Sequence, residues 1–322
     1  MTKKLHTGAT VQAELPIAED IDIASILKAY QDGKIDIICV IGPTASGKTR
    51  YAVGLARQIN ALLGAQKAEI LSADSRQVYR GMDIGTGKDL DEYEEIPYHL
   101  MDIVDAGSKY NIFEYQRDFE KAYKDIVDRG GIPILCGGSG LYVEAATCGY
   151  SLPEVPPDPE LRAELEKQDM DTLIARLASL QPLHNKTDYD TKKRLVRALE
   201  IAIYESEHPV VRSAFLPKHA YFIGTLVDRE TRNARIDARL DARLQEGMVD
   251  EIRGLIDGGV PAEDLIYYGL EYKFVTKYII GELTYDEMKL QLGTAIHQFA
   301  KRQMTWFRGM ERHGHIIHWT NV

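Results

Sequence analysis

The segment Gly42-Pro43-Thr44-Ala45-Ser46-Gly47-Lys48-Thr49 is an intact G-x-x-x-x-G-K-[ST] pattern between an apolar run at residues 36–41 and a helical one. In the helical run, Ala52, Leu55, Ala56, Ile59, Leu62 and Leu63 recur at the three-and-four spacing that lines apolar side chains on one stripe. Strand, glycine loop and helix form the context in which this motif has meaning. The glycines let successive backbone N–H groups and the helix N-terminus face an anion, Lys48 adds a point charge, and the Thr49 hydroxyl can ligate magnesium. A nucleoside triphosphate is the common ligand of such a cradle, but any pyrophosphate meets the same geometry, and the loop alone does not choose.

Outward from this loop, short β-type runs at 69–73, 98–103, 132–136 and 221–227 alternate with helical patterns such as Phe119, Ala122, Tyr123, Ile126 and Val127. The alternation predicts an α/β fold, a P-loop-type parallel sheet flanked by helices. Between the fourth and fifth strands the chain runs from Gly137 to Ala220 without a convincing strand, opening on Pro153, Pro156, Pro157 and Pro159. Residues 151–218 therefore read as an inserted, mostly helical subdomain. The core is 31–150 together with 219–322, which includes C-terminal helices, and residues 1–30 form an N-terminal extension. One long helix is expected at 232–256, stopped by Gly258-Gly259-Val260-Pro261, and another at 285–308. The stretch Ile21, Ile23, Ile26, Leu27 and Tyr30 is apolar-periodic without an evident role.

The chain has 322 residues, 44% hydrophobic and 27% charged, which excludes a disordered chain or a disulfide miniprotein and suits roughly two domains at ~150 residues each. No run of about 18 apolar residues and no secretory pattern occurs, so neither membrane span nor signal is expected and the cytosol is the expected compartment. Cys39, Cys136 and Cys148 are too scattered for a zinc site or a disulfide framework. With 39 Lys and Arg against 49 Asp and Glu the formal charge is −10, so any nucleic acid must be met by a local patch.

Asp74, in Ser72-Ala73-Asp74-Ser75-Arg76-Gln77-Val78-Tyr79, ends the second strand and belongs beside the cradle, because open α/β sheets bind ligands at the carboxyl ends of strands. It could hold magnesium through water, act as a general base, or simply form a turn. Gly81 to Lys88 is a second glycine-rich loop with a lysine, which by itself reads as a flexible turn. Gly137-Gly138-Ser139-Gly140-Leu141-Tyr142 ends the fourth strand, with glycines that permit close backbone approach and the Ser139 hydroxyl. Arg232, Arg235, Arg239 and Arg243 share one helix face, where Asp228, Asp237 and Asp241 could neutralise them or an arginine could clamp a departing diphosphate. Two further basic clusters, Lys186, Lys192, Lys193, Arg194 and Arg197, then Lys301, Arg302, Arg308 and Arg312 around Trp306 and Phe307, could track a nucleic-acid backbone or be solvated faces. The DDxxD motif of many prenyl-chain enzymes is absent.

Taken in order, GPTASGKT, ADSRQVYRGMDIGTGK, HLMDI, GGSGLY, KRLVRALE, RIDARLD and AKRQMTWFR resemble the tRNA dimethylallyltransferase (isopentenyltransferase) family over residues 36–319. The resemblance implies transfer of a dimethylallyl group from dimethylallyl diphosphate to N6 of the adenosine 3′-adjacent to the anticodon in certain tRNAs, with Mg2+. It further implies that Gly42, Pro43, Thr44, Ala45, Ser46, Gly47, Lys48 and Thr49 hold the diphosphate, with Thr49 at the metal. Asp74 matches the general base, and Arg239 the diphosphate arginine. Asp74, Ser75, Arg76, Gln77, Ser139, Arg162, Lys193, Arg194, Leu195, Val196 and Arg197 match positions that contact the anticodon stem-loop of tRNA. A cytoplasmic monomer, without membrane contact, is the implied state.

Three places depart from the family pattern. Lys193 stands where Gln is usual, Asp89 follows Gly87-Lys88 in place of Pro, and Tyr267-Tyr268-Gly269-Leu270-Glu271-Tyr272-Lys273 replaces an IGYKE-like run. The alternatives are an adenylate isopentenyltransferase acting on free AMP, ADP or ATP, a P-loop small-molecule kinase, and a tRNA-binding protein that has lost the reaction.

Overall fold

Ile37–Ile41 (β1) is an unbroken apolar run because a central parallel strand is covered on both faces, and all five residues are buried. The structure, a computed structural model, describes residues 16–148, 155–181, 183, 190–208, 217 and 219–322. Lys186, Pro153, both ends of the segment 151–218 and the first half of 1–30 lie outside the described residues.

The chain divides into two compact units, the larger of Met1–Gly149 with Leu216–Val322 and the smaller of Tyr150–Phe215. In the larger, α1 (Ile23–Gln31) precedes β1, and α2 (Lys48–Leu63), β2 (Ala68–Ser72), β3 (Tyr79–Arg80), β4 (Tyr98–His99) and β5 (Val104–Asp105) follow. Next come α3 (Ile112–Asp128), β6 (Ile132–Gly137) and α4 (Gly140–Thr147). The smaller unit contributes α5 (Pro159–Leu165), α6 (Met170–Leu180) and α7 (Lys192–Glu207). The larger unit resumes with β7 (Ala220–Leu226), α8 (Arg229–Glu246), α9 (Met248–Asp257) and α10 (Ala262–Tyr267). It closes with α11 (Leu270–Ile279), α12 (Tyr285–Arg312) and β8 (Ile317–Asn321).

Six parallel strands form one sheet in the order β4-β2-β6-β1-β7-β8, flanked by helices as the strand-helix alternation predicts. Ile38 of β1 lies opposite Ile134 of β6 and Tyr221 of β7, so β1 is central. Parallel alignment delivers the segments after β1, β2 and β6 to the same edge of the sheet, where the cradle, Asp74 and Ser139 begin. Ile26 and Leu27 of α1 join Ala52, Val53, Leu55, Ala56 and Ile59 of α2 against Ile38, Val40, Ile70 and Ile134, which gives the apolar stretch before β1 its role.

Several local expectations are corrected. Leu62 and Val127 fall at the edges of their stripes in the last helical turns and are exposed. The strand expected at 98–103 stops at His99, because Leu100 and Asp102 take left-handed backbone at φ 66° and 53°. The long helix expected at 232–256 is two helices, broken at Gly247, whose φ of 107° ends α8. β8 was not anticipated, although Ile317, His318, Trp319 and Thr320 alternate; Trp319 packs on Gly224, where a Cβ would come within 2.4 Å of its ring.

The smaller unit is a three-helix core of Leu165, Leu173, Leu177, Leu195, Val196, Leu199 and Ala202. Within it Glu200 is 2% exposed and accepts from Arg162 Nε and Nη2 at 2.9 and 2.7 Å, from the Asp158 amide at 2.7 Å, and from Arg197. Burial pushes the Glu200 carboxyl up, but the bonds from Arg162, Asp158 and Arg197 outweigh it and hold its pKa below the usual glutamate value.

Two outcomes follow from this packing. Ile38→Ala, a fully buried site, lowers stability by about 2–5 kcal/mol and Ile38→Val by about 0.5–1.5, read as urea-midpoint shifts. Because the folded pKa of Glu200 is depressed, its contribution is full above the unfolded value of ~4.3 and is lost as pH falls through the folded one. Acid titration followed by amide exchange in α5 and α7 therefore shows early opening that Glu200→Gln, costing about 3–5 kcal/mol at neutral pH, abolishes as a pH-dependent step.

Candidate active site

The cradle is pinned from three directions. Ser46 Oγ and Thr225 Oγ1 are 2.7 Å apart beneath it, and Thr225 also donates to the Ile41 carbonyl at 3.3 Å. A Cβ on Gly42 would stand 2.1 Å from Thr225 Oγ1, so only glycine allows this approach. Ala45 and Gly47 take positive φ of 60° and 79°, which turns the loop into the start of α2 with its amides outward. From α12, the buried side chain of Gln303 accepts from the Thr44 amide and donates to the Gly138 carbonyl, both at 2.8 Å. One amide thus locks the cradle to the glycine loop after β6.

Asp74 leaves β2 in a turn in which its Oδ1 accepts from the Arg76 amide at 2.9 Å and its own amide donates to Ser72 Oγ at 3.3 Å. Ser139 Oγ accepts from the Ser75 amide at 3.1 Å and donates to Ser75 Oγ at 3.3 Å, tying the ends of β2 and β6 together. Gln77 is buried, accepting from Ser72 Oγ and donating to the Gly87 carbonyl. Its side chain positions the second glycine loop.

That second loop is ordered, and its lysine has a structural post. Lys88 is 1% exposed and donates to the Tyr79 carbonyl at 2.6 Å, to Asp83 at 2.5 Å and to Asp102. Glu251 of α9 grips the amides of Asp83, Ile84 and Gly85 at 2.7 to 3.1 Å and accepts from the Tyr272 hydroxyl. Gly85 and Gly87 are thereby presented to the site.

These segments line a cavity of about 520 Å3 that carries the polar and charged side chains of Thr44, Lys48, Thr49, Asp74, Arg239 and Arg243. Tyr93, Leu141, Tyr142, Leu270, Tyr272, Phe299 and Trp306 also line it. Trp306 packs on Gly140 and donates from Nε1 to Glu144 at 3.0 Å. Burial pushes the Lys48 ammonium down, countered by neighbours that include Cys136 and Asp74, while Arg239 adds to the depression. Beside it, burial pushes the Cys136 thiol up to about 12, with Lys48 and the Thr49 hydroxyl pulling the other way. An anion would restore the balance for Lys48.

Of the residues singled out from sequence, Thr44, Lys48, Thr49, Asp74, Ser75, Arg76, Gln77, Ser139 and Arg239 line this one cavity, and Gly42, Pro43, Ser46 and Gly47 build the loop beneath. Ala45 lines a small adjoining recess. Arg162, Lys193, Arg194, Leu195, Val196 and Arg197 belong to the smaller unit. There the Leu195 and Val196 side chains are core, Arg162 and Arg197 brace Glu200, Arg194 pairs with Asp190, and Lys193 is exposed. On α8 the arginine face divides: Arg239 and Arg243 reach the cavity and Arg235 is exposed. The acids there are used elsewhere, Asp228 capping α8, Asp237 meeting His297 and Asp241 meeting Lys289. Of the C-terminal cluster, Trp306 and Arg302 line the cavity, joined there by Phe299, while Phe307 is buried in the core. Gln303 and Glu251 escaped sequence reasoning; a polar residue on the inward face of α12 was the available signal for Gln303.

Fold and site together define a P-loop-type α/β protein whose glycine-rich cradle lines a cavity together with aromatic side chains. A family model described as IPP transferase matches residues 77–310, well over half of the chain. The chain is similar to tRNA dimethylallyltransferase 2 of Porphyromonas gingivalis strain W83, 56% identical over 290 residues that cover 89% of this chain and 94% of the relative. The enzyme of the same name from Bacteroides fragilis is 54% identical over 291 residues, covering 89% and 93%. Among solved structures, the tRNA isopentenylpyrophosphate transferase of Bacillus halodurans matches with a TM-score of 0.63 at 32% identity, covering 88% of this chain and 89% of that one. A eukaryotic dimethylallyltransferase acting on tRNA shares the fold, with a TM-score of 0.65 at 24% identity over 84% and 69% of the two chains. The chain belongs to the IPP transferase family.

Gln303→Leu strands the Thr44 amide and the Gly138 carbonyl, so it is expected to cost about 1–3 kcal/mol and to speed amide exchange at Thr44. Wild-type exchange at Thr44 in that variant would show that the bridge does not hold the loop.

Proposed function

We propose that this protein transfers a dimethylallyl group from dimethylallyl diphosphate to the exocyclic N6 of the adenosine 3′-adjacent to the anticodon in tRNA. One observation carries the reading: a single cavity brings Lys48, Thr49 and Arg239 together with aromatic and aliphatic side chains that suit a five-carbon chain, with Asp74 on its lining. The names of its relatives agree with it.

In this reading the cradle amides, Lys48 and Arg239 hold the diphosphate, and the apolar walls exclude water from the prenyl carbon. Adenine N6 attacks the allylic C1 as the C1–O bond breaks, diphosphate leaves with the bonding pair, and the N6 proton passes to an Asp74 oxygen. The Arg76 amide on Oδ1 orients that carboxylate and leaves Oδ2 for the proton. An exocyclic amine is a poor nucleophile, so orientation and proton removal both matter. The adenosine must leave its stack to reach the cavity.

Magnesium would rest on the Thr49 hydroxyl, which lines the cavity, and on oxygens of the diphosphate, a donor set that suits an ion that keeps its waters. When bound, it would neutralise charge on the leaving group. Lys193 and Arg194 of the smaller unit are the proposed contacts to tRNA phosphates. No described helix is long and apolar enough to cross a membrane, and a monomer working in the cytoplasm, where its tRNA acceptor resides, completes the proposal.

Asp74→Asn keeps the turn and removes the base. It is expected to lower single-turnover transfer to unmodified tRNA by about 10²–10⁴-fold while tRNA affinity changes little. A variant with wild-type turnover would remove Asp74 from the chemistry, and wild-type protein inert with both substrates and magnesium would end the reading.

A further inference from the structure

Arg239 and Arg243 lie four residues apart on α8 and converge on one carboxylate oxygen. Arg239 Nη2 donates to Asp89 Oδ2 at 2.5 Å, and Arg243 Nη2 stands 3.5 Å from the same atom without making a hydrogen bond. Arg243 is 8% exposed, and its Nη2 is buried with no hydrogen-bond partner among the described residues. Such a group is costly to leave unmatched, and burial pushes its pKa below the usual arginine value. It lines the main cavity and, with Thr44, Ala45 and Arg239, the small recess beside the cradle. A Cβ on Gly87 would meet both guanidinium groups, Arg243 Nη2 at 1.6 Å and Arg239 Nη2 at 2.4 Å, so the second glycine loop is shaped around this pair.

One carboxylate oxygen cannot satisfy two guanidinium forks, whereas a diphosphate offers terminal oxygens on two phosphorus atoms. Asp89 stands where the family pattern has proline, and its φ of 45° is one a proline ring forbids. The departure therefore supplies a carboxylate that a proline could not. Resting on the prenyl-transfer reading above, we propose that Arg243 is a second guanidinium for the diphosphate of the donor, acting beside Arg239, and that Asp89 is the carboxylate this diphosphate displaces.

Calorimetric titration of the full chain with inorganic pyrophosphate and magnesium tests this without requiring turnover. Arg243→Met keeps the aliphatic bulk and is expected to weaken pyrophosphate binding by about tenfold or more, with Arg243→Lys recovering only part. Asp89→Asn removes the competitor and is expected to tighten binding several-fold. In steady state, Arg243→Met raises KM for dimethylallyl diphosphate and leaves KM for tRNA in place, a split that general loosening of the fold would not produce. Pyrophosphate affinity within twofold of wild type in folded Arg243→Met overturns the arginine's role; should that variant not fold, full affinity in Arg243→Lys does the same. Weakened binding in Asp89→Asn overturns displacement and makes Asp89 a positioning residue. If affinity depends on Arg243 while wild type transfers no prenyl group, the anion site stands and the prenyl reading fails; transfer with affinity indifferent to residue 243 gives the reverse.

Discussion

Gathering Lys48, Arg239 and Arg243 around one cavity is the constraint on which the rest of the site depends. Like charges repel, and burial disfavours the charged forms of Lys48 and Arg243. Each cation is carried on a helix that holds it in place, Lys48 at the start of α2 and the arginines on one face of α8, with Asp89 supplying a counter-charge to the arginines. A site so built is poised for an anion. The glycines at 42, 87 and 138 are consequences of the same demand, since side chains there would collide with Thr225, with the two arginines, or with Gln303.

Chemistry at an allylic carbon needs opposite surroundings a few ångströms apart, charge for the leaving group and a dry wall for the chain. The parallel sheet helps to meet the first need by ending three strands at one edge, where the backbone amides of the cradle emerge with Lys48, and the same edge brings in Asp74 to take the proton. α11 and α12 meet the second with Leu270, Tyr272, Phe299 and Trp306. Gln303 couples the two halves, because its single amide holds the cradle and the loop after β6 from the helix that also carries Trp306.

The central strands, the cradle and Asp74 were legible because each is local: an apolar run, a fixed motif, a strand end. Strands covered on both faces read as short apolar runs and α2 as a period-3.6 stripe, so the sheet and that helix could be read directly. What escaped depended on distant partners. Glu251 looks like any surface acid until its three amide contacts are seen, and the Gly81 to Lys88 loop looks like a flexible turn until Asp83, Asp102 and the Tyr79 carbonyl are seen to hold Lys88. The arginine face of α8 could be recognised from spacing, but that Arg239 and Arg243 are the two that line the cavity could not. Leu195 and Val196 matched a motif that the fold uses for packing, so the resemblance alone did not separate side chains that reach outward from those that hold the helix in place.

The most direct measurement is to incubate the protein with labelled dimethylallyl diphosphate, magnesium and either unmodified tRNA or AMP, then digest the RNA and identify the labelled nucleoside. The expected result is label on N6 of adenosine at the position 3′ of the anticodon, with AMP unlabelled. Label on AMP alone would make a free nucleotide the acceptor, and no label on either, with ATP bound tightly instead, would contradict the assignment of the cradle to a prenyl diphosphate.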